Sequence, residues 1–233
     1  MNSALKKNPE QLILGLPVSE AFAGEDFLRS SSNDEAVAWI ESWPEWTGAH
    51  CLILYGSEGC GKTHLSHVWK NISKAEVLSF ETLNSFDYTN AENFVFIVED
   101  VMDELAGKQA QEDLLHLYNW VSEQGGYLLL TSRRHPKHWN LSLADLSSRM
   151  LASGAVKIKE PDDPLLQAVI VKQCADRQIV LPEKVLNYIM KNTERSFSGV
   201  RHLVKEIDSI SLSEKKKITT AIVKKVLKGE SNE

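Results

Sequence analysis

Between Cys51 and His67 the chain reads CLILYGSEGCGKTHLSH. The apolar run Cys51–Tyr55 has the length and continuity of a buried strand. It leads into Gly56-Ser57-Glu58-Gly59-Cys60-Gly61-Lys62-Thr63. That octet is the G-x-x-x-x-G-K-[ST] pattern of a phosphate-binding loop, set between a strand and a helix-compatible run as the pattern requires. Glycines let the backbone curl until several N–H groups face one anion, and the helix that follows adds the positive end of its dipole. Lys62 is expected to reach the outer phosphates of a nucleotide, and Thr63 to offer its hydroxyl to Mg2+.

Working outward, Leu65, Val68 and Trp69 mark the buried side of the helix after the loop, and Ala75–Phe80 reads as a second strand. Phe94–Val98 is continuously apolar, as expected of a strand covered on both faces, and it ends in Glu99-Asp100. Acids at that strand end, in a chain with a phosphate loop, read as a Walker B element. One would hold Mg2+ and the other would orient or deprotonate the attacking water. A helix over Gln109–Gln124, stopped by Gly125-Gly126, is followed by the buried strand Tyr127–Leu130. Thr131 beyond it would either hydrogen-bond the attacking water or cap the strand. Asp145–Met150 is a short helix-like piece holding Arg149, and Val156–Ile158 is the last strand candidate.

Upstream, Phe22–Asn33 reads as loop, and Asn33-Asp34-Glu35 as the start of a helix carrying Ala36, Val37 and Ile40. Earlier still, Leu12, Leu14 and Leu16 alternate after Gln11 and before Pro17. Extended, they form one apolar face, suited either to packing on the chain's own core or to docking in a partner's groove. Downstream, Glu160-Pro161-Asp162-Asp163-Pro164 punctuates the chain, with Asp163 expected as an N-cap and Pro164 in the first turn. All that follows reads as helix: Pro164–Asp176, a helix from Pro182, one after Ser198, and Thr220–Lys228 capped by Gly229. The organisation expected is a tail over 1–20, a nucleotide-binding core over 21–160 and a helical domain over 161–233.

The chain has 233 residues and a net charge of −6. That balance lacks the broad basic footprint of most nucleic-acid binders, so strong direct DNA binding is not expected. Lys215–Lys217, Lys224, Lys225 and Lys228 suit a solvated helix face. Three scattered cysteines form neither a disulfide framework nor a zinc motif. No apolar run is long enough for a membrane span. Met1–Glu10 is polar and unlike a secretory signal, so a cytoplasmic protein is expected.

Several of these segments resemble the nucleotide-binding domain of the bacterial replication initiator DnaA. Phe27–Asn33 is similar to its opening segment, Gly56–Leu65 to its phosphate loop, and Leu130-Thr131-Ser132 to its sensor 1 region. Asp145-Leu146-Ser147-Ser148-Arg149-Met150 resembles its arginine-finger box, and Gly199-Val200-Arg201-His202-Leu203 its sensor 2 helix. The chain stops at Glu233, without DnaA's DNA-binding domain, and Gln11–Leu16 is similar to the motif by which Hda-type regulators bind the replicative sliding clamp. The resemblance is thus to DnaA-related AAA+ proteins of the Hda type.

That resemblance implies an α/β fold: a P-loop AAA+ core with a parallel sheet flanked by helices, plus a small all-α lid. It implies ADP or ATP with Mg2+, held by Leu28, Asn33, Gly56, Glu58, Gly59, Cys60, Gly61, Lys62, Thr63, His64 and Arg201, with Thr63, Glu99 and Asp100 toward the metal. Arg149 would act in trans as an arginine finger on ATP held by DnaA, with Asp100 and Thr131 near the chain's own chemistry. A surface arginine paired with Asp145 is the plainer reading of Arg149. Gln11, Leu12, Leu14 and Leu16 would bind the beta subunit of DNA polymerase III, the sliding clamp. A homodimer would suit fingers acting in trans. Glu99 stands where DnaA has Asp, and Mg2+ tolerates poor octahedral geometry badly, so little or no intrinsic turnover is expected. The rival expectation is a DnaA-like or loader-like ATPase with its own turnover, acting directly at DNA.

Overall fold

The computed structural model describes residues 19–21, 27–46, 50–83, 85–88, 91, 93–214 and 218–228. Gln11–Leu16, Lys215–Lys217 and Gly229 lie outside them. A short antiparallel pair, β1 (Ser19–Ala21) and β2 (Phe27–Arg29), precedes helix α1 (Asp34–Glu41). The segment read as loop therefore holds a two-stranded ladder, whose three-residue strands are too short for alternation to show. Asn33 precedes α1 but does not cap it with its side chain. Its Oδ1 instead accepts from the Ser30 N–H at 2.8 Å, and its Nδ2 donates to the Leu28 carbonyl at 2.9 Å.

Five parallel strands make the central sheet: β3 (Cys51–Tyr55), β4 (Glu76–Leu78), β5 (Val95–Val98), β6 (Tyr127–Ser132) and β7 (Gly154–Lys157), in the order β4-β5-β6-β3-β7. Around it lie α2 (Lys62–Ser73), α3 (Phe80–Leu83), α4 (Val101–Glu104), α5 (Lys108–Glu123) and α6 (Ala144–Ala152). Strand side chains alternate between faces, and β3 shows where each face goes. Leu52 and Leu54 pack with Val37 and Ile40 of α1 and with Leu65, Val68 and Trp69 of α2. Cys51 and Ile53 pack with Leu114, Leu117 and Val121 of α5 and with Leu146 and Met150 of α6. Helices on both faces are why these strands read as unbroken apolar runs. Trp69 is fully buried, stacked on Trp46 with 5.3 Å between ring centroids and edge-on to Trp43.

Four strands differ in extent from the sequence reading: β5 begins at Val95 rather than Phe94, and β7 runs Gly154–Lys157 rather than Val156–Ile158, while β6 and β4 differ more plainly. β6 runs two residues past Leu130, because Thr131 and Ser132 pair with Leu54 and Tyr55 of β3; a polar residue in a fully buried strand end carries no strand signal of its own. β4 stops at Leu78, and Phe80 opens α3.

The C-terminal region is a four-helix lid: α7 (Asp163–Asp176), α8 (Glu183–Asn192), α9 (Phe197–Glu214) and α10 (Thr220–Leu227). Its own core gathers Ile170, Leu186, Ile189, Val200, Val204 and Val223. The cap of α7 is Asp162, whose Oδ1 accepts from the Leu165 N–H at 3.0 Å, so Pro164 takes the second helical position. Adjacent aspartates are equivalent as caps by type, so sequence alone does not choose between them. Helix α9 begins at Phe197, ahead of Ser198; α10 begins at Thr220 as read, with Thr219 as its cap. No helix among the described residues is long and apolar enough to cross a membrane.

All three cysteines are free and buried. Burial pushes the Cys51 thiol up to about 12, against a hydrogen bond from Ser153 that lowers it, and pushes Cys174 up to about 11; Cys60 is raised for the same reason. A thiol reagent at pH 8 is therefore expected to label none of them in the native protein and all of them after unfolding. Because Cys51 stays protonated when folded, its contribution to stability is complete below the ordinary thiol pKa of about 8.5 and falls as pH rises from there toward the folded value. Urea midpoints that rise between pH 9 and pH 11 would contradict this.

Candidate functional site

The phosphate-loop sequence folds into a curl that only glycine fits at two points. Gly59 and Gly61 have φ of 71° and 105°, values that side chains with a Cβ rarely adopt. Space is short as well: a Cβ on Gly59 would lie 2.4 Å from the Ser198 Oγ, and one on Gly56 would lie 2.3 Å from the Ile158 carbonyl oxygen. Lys62 opens α2 and is buried, and its Nζ donates to the carbonyls of Gly56 and Ser57, each at 3.0 Å. The ammonium is thus held inside the curl of its own loop.

A cavity of about 440 Å3 lies between this loop and the lid. Of the residues expected at a nucleotide, it brings together Leu28, Asn33, Gly59, Gly61, Lys62, Thr63, His64 and Arg201. Phe27 stacks on His64 across its wall, at 5.2 Å and 15° between rings. The lid adds residues that sequence reasoning missed: Gln173 and Asp176 from α7, and Phe197 and Ser198 from the start of α9. Gln173 and Asp176 are polar residues three apart on α7, and so on one side of the helix, which was their available signal. Phe197 carried none; its backbone N–H donates to the Gly59 carbonyl at 2.9 Å, tying the lid to the loop.

The other expected residues do not line this cavity. The Gly56 N–H donates to the Ser132 carbonyl at 3.1 Å. Glu58 is exposed, 3.9 Å from Arg133. Cys60 points into the core beside Leu54 and Leu65. Glu99 Oε1 accepts from the Ser66 hydroxyl at 2.6 Å, and the same hydroxyl lies 2.9 Å from the Thr63 carbonyl oxygen. Glu99 is therefore held against the first turn of α2, next to Thr63. Asp100 is exposed and left-handed, with φ 48° and ψ 39°, a strained setting for a residue with a side chain. Its N–H donates to the Thr131 Oγ1 at 2.8 Å, and Thr131 is fully buried.

No group of three or more His, Cys, Asp or Glu able to hold a metal occurs among the described residues. Mg2+ at a nucleotide keeps several waters and takes one or two protein groups alongside phosphate oxygens. The Thr63 hydroxyl and the Glu99 carboxylate, both beside Ser66, suit that limited role.

Arg149 sits on α6 with its side chain about a third exposed (37%). Its guanidinium lies over the Tyr118 ring, 5.5 Å from the centroid, and its Nε is 3.3 Å from Asp145 Oδ1. The pairing with Asp145 anticipated for a surface arginine is thus present. The Nε lies within ion-pair reach of Asp145 but makes no hydrogen bond.

Three comparisons bear on the architecture. A family model described as the Hda lid domain matches residues 163–227. The chromosomal replication initiator protein DnaA of Buchnera aphidicola (subsp. Cinara cedri) is 25% identical over 249 residues, covering 95% of this chain and 56% of the relative. The chain thus spans about half the length of that relative. Among solved structures, domain III of Thermotoga maritima DnaA is similar with a TM-score of 0.72 at 20% identity, covering 88% of this chain and 94% of that one. AMPPCP-bound DnaA from Aquifex aeolicus is similar with a TM-score of 0.69 at 20% identity, covering 88% and 68%.

The contact between Asp100 and Thr131 yields a direct test. Thr131→Val keeps the shape of the side chain and removes the acceptor of a partly buried N–H. The loss is expected to lower stability by about 1–3 kcal/mol, read as a lower urea midpoint at unchanged slope. An unchanged midpoint would mean that water replaces the hydroxyl.

Proposed function

Since the chain is a DnaA-related AAA+ protein with a lid of the Hda type, we propose that it is a cytoplasmic negative regulator of replication initiation. In this reading it binds adenine nucleotide, ADP in the working state, and with the DNA-loaded sliding clamp stimulates ATP hydrolysis by DnaA. Nucleotide would occupy the cavity between loop and lid. The loop N–H groups, the start of α2 and Lys62 would face its phosphates, and Arg201 would reach in from the lid. Mg2+, when bound, would neutralise phosphate charge, with Thr63 and Glu99 as its protein-side groups and Asp100 close by. The AMPPCP carried by a neighbour of the same fold supports such an occupant.

The observation that carries the reading is the place of Arg149. It is absent from the lining of its own chain's cavity and stands part-exposed on α6, where it can serve a nucleotide held by another molecule. An arginine supplied across an interface stabilises charge on the transferred phosphoryl group and is worth about a thousandfold or more in rate. Intrinsic turnover would be slow, since Glu99 already accepts from Ser66. The clamp contact would be made by Gln11, Leu12, Leu14 and Leu16, and a homodimer would accommodate fingers in trans.

The test is ATP hydrolysis by DnaA, with this protein and clamp loaded on DNA. Arg149→Ala is expected to lose about a thousandfold of the stimulated rate while still binding clamp and nucleotide; full stimulation by the variant would sink the assignment. Tyr118→Leu removes the ring that the guanidinium must leave in order to act and is expected to raise the maximal stimulated rate by up to about fivefold, with little change in the concentration giving half-stimulation. A separate pull-down with clamp should fail for Gln11→Ala/Leu14→Ala, and retention of that variant would remove the clamp from the scheme.

A further inference from the structure

A second concavity, of about 620 Å3, opens at the carboxyl ends of β3, β6 and β7, on residues distinct from those of the nucleotide cavity. Five of its lining residues carry fixed positive charge, Arg133, Arg134, Lys137, Lys157 and Lys159, against the single acid Glu160. The whole chain has 26 basic and 32 acidic residues, so this surface reverses the balance of the protein. Arg133 is partly neutralised, 3.4 Å from Asp103 and 3.9 Å from Glu58. Arg134, Lys137, Lys157 and Lys159 are exposed and make no ion pair among the described residues. These four fall into two banks. Arg134 and Lys137 follow β6, Lys157 and Lys159 stand at and just beyond the end of β7, and β3 lies between those two strands. With neighbouring strands about 4.8 Å apart, the two flanking strand ends are about 10 Å from each other.

Both banks are pinned. In the first, His135 Nδ1 accepts from the Lys137 N–H at 3.1 Å, and the Trp139 indole N–H and the Ser132 hydroxyl both donate to the Arg134 carbonyl, each at 2.9 Å. In the second, the Ile158 N–H donates to the Tyr55 carbonyl at 2.8 Å and the Lys159 N–H to the Ser32 carbonyl at 3.0 Å. Tyr55, at the end of the middle strand, also meets His135 edge to face with 5.1 Å between ring centroids, so one residue steadies both sides. Cations carried on fixed backbone need less ordering when something binds. The positive surface is also short. Glu58 and Asp103 lie against Arg133, and Glu160 closes the second bank just before Asp162 and Asp163.

We propose that this groove docks an extended, carboxylate-rich segment of another protein. In an extended polypeptide successive side chains point to opposite sides, so a run of acidic residues presents carboxylates to both banks at once. A polyanion whose charges lie in one row along its backbone would engage a single bank, and the acids at either end would oppose its continuation. Small-molecule sites are mostly apolar and enclose their ligand. This groove is instead edged by exposed cations, the arrangement by which acidic motifs in other proteins are recognised. The proposal goes beyond the regulatory reading and does not depend on it, because none of these cations was given a role there.

The test is fluorescence anisotropy of the full chain, at 50 and 200 mM salt, with two labelled 12-residue peptides of equal charge. One carries six consecutive glutamates flanked by serines. The other alternates six glutamates with serines, which puts every carboxylate on one side when extended. The consecutive peptide is expected to bind at least about threefold more tightly at 50 mM salt, and both should weaken at 200 mM as exposed charges are screened. Arg134→Gln/Lys137→Gln and Lys157→Gln/Lys159→Gln should each weaken the consecutive peptide about tenfold and remove its advantage over the alternating one, with unchanged thermal unfolding midpoints. The proposal is overturned by no binding at 50 mM salt, by an alternating peptide bound as tightly as the consecutive one, or by variants that bind like the parent. It is equally overturned by oligo-dT of the same charge that binds more tightly than the consecutive peptide, or by a parent chain that self-associates in sedimentation while both variants stay monomeric.

Discussion

The structure turns on a place where backbone and lid leave no room for a Cβ. Gly59 is left-handed, and its carbonyl accepts from the N–H of Phe197. The space its missing side chain would need is taken by Ser198. Gly61, also left-handed, faces the Phe197 ring at a distance that would be tight for any Cβ. The curl that points N–H groups inward and the seat on which the lid rests are therefore the same few residues. A phosphate entering this loop would meet backbone that already holds α9 through one hydrogen bond. Lid and loop are therefore in direct contact, without a relay between them. Lys62 adds to this: its ammonium donates to two loop carbonyls and so ties the curl to the start of α2.

The sheet explains why three kinds of chemistry lie so close together. Parallel strands deliver their loops to one edge, where ligands of such folds gather. β3 ends in the glycine loop, β5 in Glu99 and Asp100, and β6 in Thr131 and Ser132. Thr131 points inward and accepts from the Asp100 backbone, which helps hold that residue in its strained left-handed turn. Strain of this kind persists only where surrounding contacts over-determine it. One residue on, Ser132 turns its hydroxyl to the Arg134 carbonyl and fixes the loop that carries the exposed cations. A single strand end thus braces the acidic turn on one side and the basic groove on the other.

Most of the fold was legible because its signals are local. The glycine loop, the unbroken runs of β3 and β5 and the 3.6-residue spacing in α5 each follow from burial on known faces. The ladder of β1 and β2 was not, since three residues cannot display a period, and neither was the choice of Asp162 over Asp163 as cap, since type alone does not separate them. At the site, the residues named from the motif segments fall into two sets: eight converge on one cavity, while Cys60 turns into the core and Glu58 toward Arg133. A motif specifies backbone path and leaves side-chain direction to tertiary packing, which is why x positions of the loop scatter. Phe197 and Ser198 act by where α9 begins, which no residue type announces. The basic groove was hidden for another reason: net charge averages over the surface, and its cations come from two segments, the one ending at Lys137 and the other starting at Lys157, that only the sheet brings together.

The energetics of Arg149 bear on the proposed role in trans. A finger must be ordered enough to be presented and free enough to leave. Its pairing with Asp145 is exposed and at i,i+4 spacing, an arrangement worth about 0.3–0.5 kcal/mol. Its contact with the Tyr118 ring is part-exposed and worth about 0.5–1 kcal/mol. Leaving both would cost roughly 1–1.5 kcal/mol. A thousandfold rate effect corresponds to about 4 kcal/mol of transition-state stabilisation, so that cost is a fraction of the gain. The unsatisfied Nε lowers it further, because the resting position leaves a donor without a hydrogen bond that a phosphoryl oxygen would supply. Glu99 is in the opposite situation. Its contact with Ser66 is short and partly buried, in the medium where hydrogen bonds to charged groups are strongest. The group suited to act outward is lightly held, and the group that would serve the chain's own hydrolysis is firmly held.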